Sequence, residues 1–374
     1  MCLWPFKYIM LYGVNCNGSL WKIKDCKRKT HTCIFDHRVT LYICNYDSQY
    51  MVTNNTLIMK NIEIVKDKMF GCLYGQAIGD ALGLGSEFMD KDEVNKNYPD
   101  GLCTYEQIIQ DTHRRRWPIG AWTDDTDMML CILSAFENGK FNVHKVAQNF
   151  KDWFNGEPMG IGGHTFKVLC MSDYVEQPEM CSEIWWNLSR HQSAANGALM
   201  RTSVVGLAHD NVEIQATEIC KLTHYDPRCI GSCVIASLII HNLVWNDYEL
   251  TYNEIKEIAK KYDERIIEWV DLAYQNEDIS ALDLDEKYSI GYTLRTLAAA
   301  LWSYWHVSSF EEGLLAIVNE GGDADTNGAI ACAILGVKFG YSSIPRYYIE
   351  NLNNRDMYQQ KITTFINQIT DAKA

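Results

Sequence analysis

The sequence predicts an all-α protein, a compact orthogonal bundle of many helices preceded by a small β-containing extension. Apolar residues recur with helical period in segment after segment, and almost no alternating strand pattern lies between these segments. The chain has 374 residues, 47% of them hydrophobic, so it is long enough to bury a large core. The helical segments begin at residue 62 and include 143–154, 211–222, 228–245, 251–275, 290–306, 309–318 and 326–340.

Residues 1–65 differ from the remainder, which we expect to form one domain over 66–374. Two runs of β-type residues, Val39 to Cys44 and Tyr50 to Thr53, are separated by the polar stretch Asn45 to Gln49. This pattern predicts a β hairpin. The role of the extension is unknown, and it could be a segment that the functional protein does not need.

Glycine recurs every fourth residue in the first helical segment, at positions 71, 75, 79 and 83. A glycine inside a helix costs about 1 kcal/mol relative to alanine. We therefore expect another group to pack closely against this face of the helix. A matching stripe of small residues occurs late in the chain, at Gly328, Cys332, Gly336 and Gly340. We therefore predict that the two helices cross with their backbones nearly in contact; the alternative is that each stripe packs elsewhere.

Two acidic patches lie far apart in the sequence, each directly before an apolar helical run. The first is WTDDTDMML at 122–130 and the second is EGGDADTN at 320–327. Carboxylates at the start of a helix are often only capping groups. However, dense oxygen donors without nearby His or Cys favour Mg²⁺ or Mn²⁺ over Zn²⁺. The candidate metal ligands are Thr123, Asp124, Asp125, Asp323, Asp325 and Thr326.

A glycine-rich turn, MGIGGHTF at 159–166, leads into another helical segment. The backbone amides of Gly162 and Gly163 could hold a diphosphate, since amides at a helix start bind anions. The alternative is a simple turn.

Charge and cysteine usage exclude several classes of protein. The net charge of -14 argues against a nucleic-acid partner. The 14 cysteines show neither disulfide nor zinc spacing, so we expect reduced thiols and a cytoplasmic location. Since an uninterrupted run of 18 apolar residues is missing from the sequence, we expect no membrane partner either.

Six blocks of the sequence occur in the order and spacing of a known family. They are GQAIGDALG at 75–83 followed by Glu87, RWPIGAWTDDTDMML at 116–130, SAANGALMR at 193–201, LTHYDP at 222–227, IGYTLRTLAAALW at 290–302 and GGDADTNGAIACAILG at 321–336. From about residue 66 to 350 the chain resembles the ADP-ribosylglycohydrolase family, which includes dinitrogenase-reductase-activating glycohydrolases and ADP-ribosyl-acceptor hydrolases. A single TDDT would be a weak signal, whereas six ordered blocks make a specific match.

The resemblance implies two Mg²⁺ or Mn²⁺ ions held by the six oxygen donors named above. It also places Glu87 on a loop over the metals, and Glu87, Asp124 or Asp325 would provide the acid or base of catalysis. The implied contacts to ADP-ribose are Ser193, Asn196, Gly197, His224 and Tyr292. From the residues alone, each of these could equally be part of a loop or the core.

One departure from the family pattern concerns the acceptor. The family block that often reads DIG has an aspartate associated with arginine-linked substrates, and the matching residue here is Gly160. Ala324 and Asn327 also replace commoner residues, although neither position is a metal ligand in the family pattern. The acceptor therefore stays open among arginine, serine, O-acetyl-ADP-ribose and poly-ADP-ribose.

Together these observations predict a metal-dependent hydrolase that releases ADP-ribose from a modified protein side chain or a small acceptor. The alternative is a catalytically silent ADP-ribose-binding module or a structural protein on the same fold. All six oxygen ligands are present, which favours catalysis. We expect a monomer.

Overall fold

The structure, a computed structural model, describes residues 11–14, 20–23, 42–43 and 48–371. The chain divides into two units, Met1–Ile62 and Glu63–Ala374.

The first unit contains a three-stranded antiparallel sheet in the order β2-β1-β3. Its strands are β1 (Leu11–Val14), β2 (Leu20–Ile23) and β3 (Tyr42–Ile43). The strand predicted at Tyr50 to Thr53 is wrong, because these residues lie in helix α1 (Ser48–Gly83). Four β-type residues are too few to interrupt a helix that propagates cooperatively from its neighbours. Residues 39–41 and 44–47 of the predicted hairpin lie outside the described residues.

The second unit is helical, which confirms the all-α prediction. The further helices are α2 (Lys91–Asn97), α3 (Asp124–Leu133), α4 (Val143–Asn155), α5 (Gly163–Leu169), α6 (Pro178–Leu188), α7 (Val212–Lys221), α8 (Pro227–His241), α9 (Tyr252–Ala259), α10 (Arg265–Gln275), α11 (Thr293–His306), α12 (Phe310–Val318), α13 (Ala324–Phe339), α14 (Arg346–Glu350) and α15 (Arg355–Asp371). A small hairpin joins β4 (Phe136–Glu137) to β5 (Lys140–Phe141).

The single helix predicted over 251–275 is wrong, because the structure has two helices there, α9 and α10. Asp263 lies in the break and accepts a hydrogen bond from the backbone N–H of Arg265 at 2.9 Å. Its carboxylate also pairs with the Arg265 guanidinium at 2.6 Å. An aspartate that bonds nearby backbone amides favours a new helix start over continuation of the old one.

The most deeply buried helices are α8 and α13. Every residue of α13 from Ala324 to Val337 is buried, and it packs against α11 and α12. Within the described residues, the helical stretch Pro227–Asn246 is long and apolar enough to cross a membrane, but 72% of its apolar window is buried inside the protein.

Helices α1 and α13 run antiparallel with their backbones nearly in contact, as the small-residue stripes predict. A Cβ added to Gly71 would lie 2.0 Å from the carbonyl oxygen of Gly336, and one added to Gly79 would lie 2.1 Å from that of Gly328. The last glycine of the first stripe, Gly83, faces Ala324, which lies outside the second stripe. Gly340 instead ends α13 with a φ of 83°, a conformation that favours glycine.

Candidate active site

Three helix ends converge at one place in the second unit: the end of α1 and the starts of α3 and α13. Asp80, near the end of α1, connects this helix to the start of α3. Its Oδ1 accepts a hydrogen bond from the Thr123 N–H at 2.9 Å, and its Oδ2 accepts from the N–H and hydroxyl of Thr126 at 3.0 and 2.7 Å. Asp80 thus satisfies amides that a helix start leaves without partners. The contact of Gly83 with Ala324 brings α13 to the same point.

The carboxylates of the two acidic patches meet here in two groups that share Asp325. The first group is Asp80, Asp125 and Asp325, and the second is Glu87, Asp323 and Asp325. Within each group, one oxygen from each residue lies within 4.8 Å of the others. The fold therefore brings together residues that lie far apart in the sequence, at positions 80–125 and 323–325.

Burial and mutual repulsion raise the pKa of four aspartates at this place, Asp124, Asp125, Asp323 and Asp325. Burial, followed by the charge of Glu87, raises the pKa of Asp124 to about 7 and that of Asp323 to about 6. Burial is also the main cause for Asp125 and Asp325, whose pKa values lie well above the usual range. The next largest contribution to the raised pKa is the negative charge of Asp80 for Asp125, and that of Glu87 for Asp325.

These aspartates have no cationic partner within the described part of the chain. Asp124, Asp125, Asp323 and Asp325 make no ion pair with Lys, Arg or His there. In addition, Oδ2 of Asp125 is buried and has no hydrogen-bond partner. Buried carboxylates are normally paired or bound to a metal. This all-oxygen set fits a hard divalent cation such as Mg²⁺ or Mn²⁺.

Glu87 lies on a short segment that is fixed to the turn before α13. The N–H of Phe88 donates to the carbonyl of Gly322 at 2.6 Å, and the N–H of Gly322 donates to the carbonyl of Met89 at 2.8 Å. Both Gly321 and Gly322 have positive φ, which permits this turn. The Glu87 carboxylate itself contacts Nε2 of His113 at 2.6 Å.

A cavity of about 540 Å³ opens onto the carboxylates. It is lined by the predicted residues Glu87, Thr123, Asp124, Asp125, Gly162, Gly163, Asn196, Gly197, His224, Asp323, Asp325 and Thr326. Gly162 and Gly163 have open space where side chains would lie, so that a ligand can approach their backbone. The amide of Asn196 donates to Oδ2 of Asp323 at 2.6 Å and to the hydroxyl of Thr296 at 2.9 Å. Thr296 in turn donates to Asn327 at 2.8 Å, which gives this departure from the family pattern a structural role.

His224 presents a hydrogen-bond donor to the cavity. The hydroxyl of Thr223 accepts from the guanidinium of Arg201 at 2.6 Å and contacts Nδ1 of His224 at 2.7 Å. Arg201 can only donate, so Nδ1 of His224 is the one acceptor for the Thr223 hydroxyl proton among the described residues, and the proton of the neutral His224 ring is on Nε2. This Nε2 is buried without a partner. Burial also lowers the His224 pKa well below its usual range, which keeps the ring neutral.

His164 stacks on His224, with ring centroids 3.9 Å apart. Its Nε2 contacts the Thr223 carbonyl at 2.8 Å, so this nitrogen donates, and Nδ1 accepts from the Ser193 hydroxyl at 2.6 Å. Burial lowers the His164 pKa to about 4. The pair therefore stays uncharged at neutral pH.

Two predicted ligand contacts do not line the cavity. Ser193 donates its hydroxyl to His164 and so supports the stacked pair. The ring of Tyr292 packs against Trp269, with centroids 5.9 Å apart, and beneath the guanidinium of Arg228 at 5.6 Å. A direct ligand contact by either residue stays a prediction, and this placement does not favour it.

Three residues that the sequence did not indicate also belong to the site: Asp80, His113 and His164. Asp80 lies between Gly79 and Gly83 of the glycine stripe, so a charged residue on that close-packed helix was an available signal. His164 directly follows the glycine turn. His113 offered no such signal, because it lies in a polar loop and meets Glu87 only in the fold.

The family model described as ADP-ribosylglycohydrolase matches residues 61–373. Among curated relatives, ADP-ribosylarginine hydrolase Tri1 of Serratia proteamaculans is 26% identical, over 81% of this chain and 79% of its own. ADP-ribosyl-dinitrogen reductase glycohydrolase of Rhodospirillum rubrum is also 26% identical, over 77% of this chain and 91% of its own. ADP-ribosylhydrolase ARH3 of Xenopus tropicalis is 24% identical, over 74% of this chain and 88% of its own.

Solved structures agree on the fold. One solved chain, described as an ADP-ribosylglycohydrolase-related protein complex, superposes on 82% of this chain and over 99% of its own length. The TM-score is 0.63 and the sequence identity is 23%. The family model covers most of the chain, including all the residues that line the cavity. The chain therefore belongs to the ADP-ribosylglycohydrolase family and is an enzyme of that class.

Proposed function

We propose that the protein hydrolyses the bond between ADP-ribose and a protein side chain or small acceptor, with two divalent cations, Mg²⁺ or Mn²⁺, at its carboxylates. The proposal rests on Asp325, which belongs to two groups of carboxylates whose members, apart from Asp80, all line one cavity. Two divalent cations that share one carboxylate would offset most of the charge of the five carboxylates in the two groups. The residues that would hold them are Thr123, Asp124, Asp125, Asp323, Asp325 and Thr326, with Glu87 beside them.

Cations bound there would stabilise developing negative charge and lower the pKa of water. The chain itself supplies Glu87, one oxygen of which is held by His113, while the other has no hydrogen bond within the described residues. Glu87 takes a proton from water as the water oxygen bonds to the anomeric carbon. The bond to the acceptor breaks with its electron pair on the acceptor atom, which then receives the proton from Glu87.

The other wall of the cavity supplies neutral hydrogen-bond donors for the rest of the substrate. These are the unpartnered Nε2–H of His224 and the exposed backbone at Gly163, whereas the amide of Gly162 already bonds Asp124. A diphosphate needs such donors because the chain carries a net charge of -14 and repels anions at long range. We propose that this wall binds the diphosphate of ADP-ribose.

The test is release of ADP-ribose from arginine-linked and serine-linked substrates, in Mg²⁺, Mn²⁺ or EDTA. We expect release with a metal and none in EDTA. Asp325→Asn should lower kcat by at least about 10²-fold, the scale for loss of a main electrostatic group in an active site. Asp127→Asn is the matched control, since Asp127 lies in the first turn of α3 with Asp124 and Asp125 but binds the indoles of Trp122 and Trp153 outside the cavity.

Equal activity of Asp325→Asn and the wild type would contradict the assignment of this site. Binding of ADP-ribose without release under any condition would instead identify a binding module. Undiminished release in EDTA would show that hydrolysis occurs without the proposed cations.

A further inference from the structure

Arg116 lies at the mouth of the cavity and is held firmly although its side chain is exposed. Its guanidinium stacks over the ring of Trp117, 4.4 Å from the centroid. Its Nε donates to the carbonyl of His113 at 3.0 Å, and its Nη1 donates to the carbonyl of Met159 at 3.2 Å. Its Nη2 contacts Nδ1 of His113 at 2.6 Å. Stacking and three hydrogen bonds fix the guanidinium plane.

These contacts determine which N–H groups remain free. Since a guanidinium cannot accept a hydrogen bond, Nδ1 of His113 accepts from Arg116, and Nε2–H of His113 donates to Glu87. All three acceptors of Arg116 are neutral. An arginine has five N–H donors, so two remain, one on each terminal nitrogen. Their positions are fixed before any ligand arrives.

Arg116 therefore carries an uncompensated positive charge at the cavity. It makes no ion pair with Asp or Glu among the residues that the structure describes, and it is the only Lys or Arg lining the described cavity. The remainder of the molecule is strongly acidic. A fixed cation in such surroundings is suited to one local anionic group of a ligand.

The position of Arg116 associates it with the acceptor side of the substrate. It contacts His113, which holds Glu87, and the first residue of the glycine-rich turn, Met159, whereas its hydrogen bonds within the described residues do not reach the donors proposed for the diphosphate, Gly163 and His224. Facing Trp117 is Gly160, which has no side chain. A Cβ added there would lie 3.1 Å from Trp117 and 3.3 Å from Oδ1 of Asp124.

A cationic acceptor has no unassigned carboxylate with which to form an ion pair on this side of the described cavity. One oxygen of Glu87 contacts His113 and the other is assigned to proton transfer, and the four inner aspartates are the proposed cation ligands. A guanidinium acceptor would also meet the like charge of Arg116, which disfavours it. An acceptor with a carboxylate near the modified residue meets no such repulsion and gains a partner.

We infer that Arg116 is a specificity-determining residue that favours an acidic peptide as acceptor and disfavours guanidinium-linked ADP-ribose. This inference rests on the proposed function. The carboxylate of the peptide binds the two free N–H groups of Arg116 while the modified residue lies beside Glu87.

The experiment uses two serine-linked ADP-ribosylated peptides that differ only in having Glu or Gln beside the modified residue. An arginine-linked peptide with the Gln flanks is the third substrate. For the wild type, kcat/KM should be roughly tenfold higher for the acidic than for the neutral serine peptide, mainly through KM. It should be lowest for the arginine-linked peptide. In Arg116→Gln the acidic-to-neutral ratio should fall to about one, and Arg116→Lys should retain part of it.

Each ratio compares two substrates on one enzyme, so loss of folded protein does not affect it. An equal ratio in the wild type and Arg116→Gln would overturn the inference, as would a preference of the wild type for the arginine-linked peptide. If inhibition by free ADP-ribose weakened in Arg116→Gln by the same factor, Arg116 would bind the diphosphate instead, which also overturns it. If the wild type cleaved none of the peptides, the proposed function would fail as well.

Discussion

At the scale of single residues, the site depends on polar groups whose protonation is fixed by their neighbours. Asp80 is fully buried and accepts three hydrogen bonds from Thr123 and Thr126, so it positions the start of α3. Thr223 plays a similar part on the other wall, since its hydroxyl and its carbonyl contact the two stacked histidines. The chemistry of the cavity thus depends on residues that do not all line it.

The stacked histidines predict a dependence of stability on pH. His164 has a pKa of about 4 in the folded protein, whereas an unfolded histidine has a pKa of about 6.5. Between these values the unfolded chain binds a proton that the folded protein does not, so stability falls as the pH decreases from about 6.5 to 4. The contribution of this one group is up to about 3 kcal/mol.

The check is urea unfolding of the wild type and His164→Gln at several pH values across this window. The free energy of unfolding of the wild type should fall more steeply on acidification than that of the variant. Parallel pH profiles would contradict a neutral His164 in the folded protein.

At the scale of elements, the close contact between α1 and α13 determines where the two acidic patches meet. Gly71, Gly75 and Gly79 face Gly336, Cys332 and Gly328 in turn, with backbone atoms on the opposing side. Because backbone cannot move aside as a side chain can, we expect Gly79→Ala to lower the free energy of unfolding by about 1–3 kcal/mol or more. The same variant should lose activity, since α13 carries Asp325.

The matched control is Gly163→Ala, also a glycine within a helix but with open space around the added Cβ. Urea unfolding of both variants should show a large loss of stability only for Gly79→Ala. If the two variants were equally stable, close contact between α1 and α13 would not account for the glycine stripe.

The contact of these two helices could be predicted from sequence because a repeat of small residues is a local pattern. The break between α9 and α10 could not, because the apolar period continues across it and only the contacts of Asp263 end the first helix. The same distinction applies within the site. Asp124, Asp323 and Asp325 stand in dense local motifs, whereas His113 acquires its role only through a partner 26 residues away.

At the scale of the whole molecule, the fold maintains a group of buried like charges in its interior. Asp325 is surrounded by Glu87, Asp125, Asp323 and Asp80, each of which raises its pKa. Such an arrangement opposes folding unless cations compensate it. In EDTA we therefore expect Asp325→Asn to have a free energy of unfolding at least as high as that of the wild type.

Added Mn²⁺ should reverse this order, because a ligand that binds only the folded state stabilises it by mass action. Thermal unfolding of both proteins in EDTA and in Mn²⁺ checks the prediction. A variant that was much less stable than the wild type even in EDTA would indicate that Asp325 has a structural role in the absence of cations.

Calorimetric titration of Mn²⁺ into metal-free protein tests the claim that the carboxylates sharing Asp325 bind divalent cations. We predict about two bound ions per chain for the wild type, with the affinity of both weakened at least about tenfold in Asp325→Asn. Asp127→Asn should bind as the wild type does. Absence of binding to the wild type, or equal binding by Asp325→Asn, would contradict the claim.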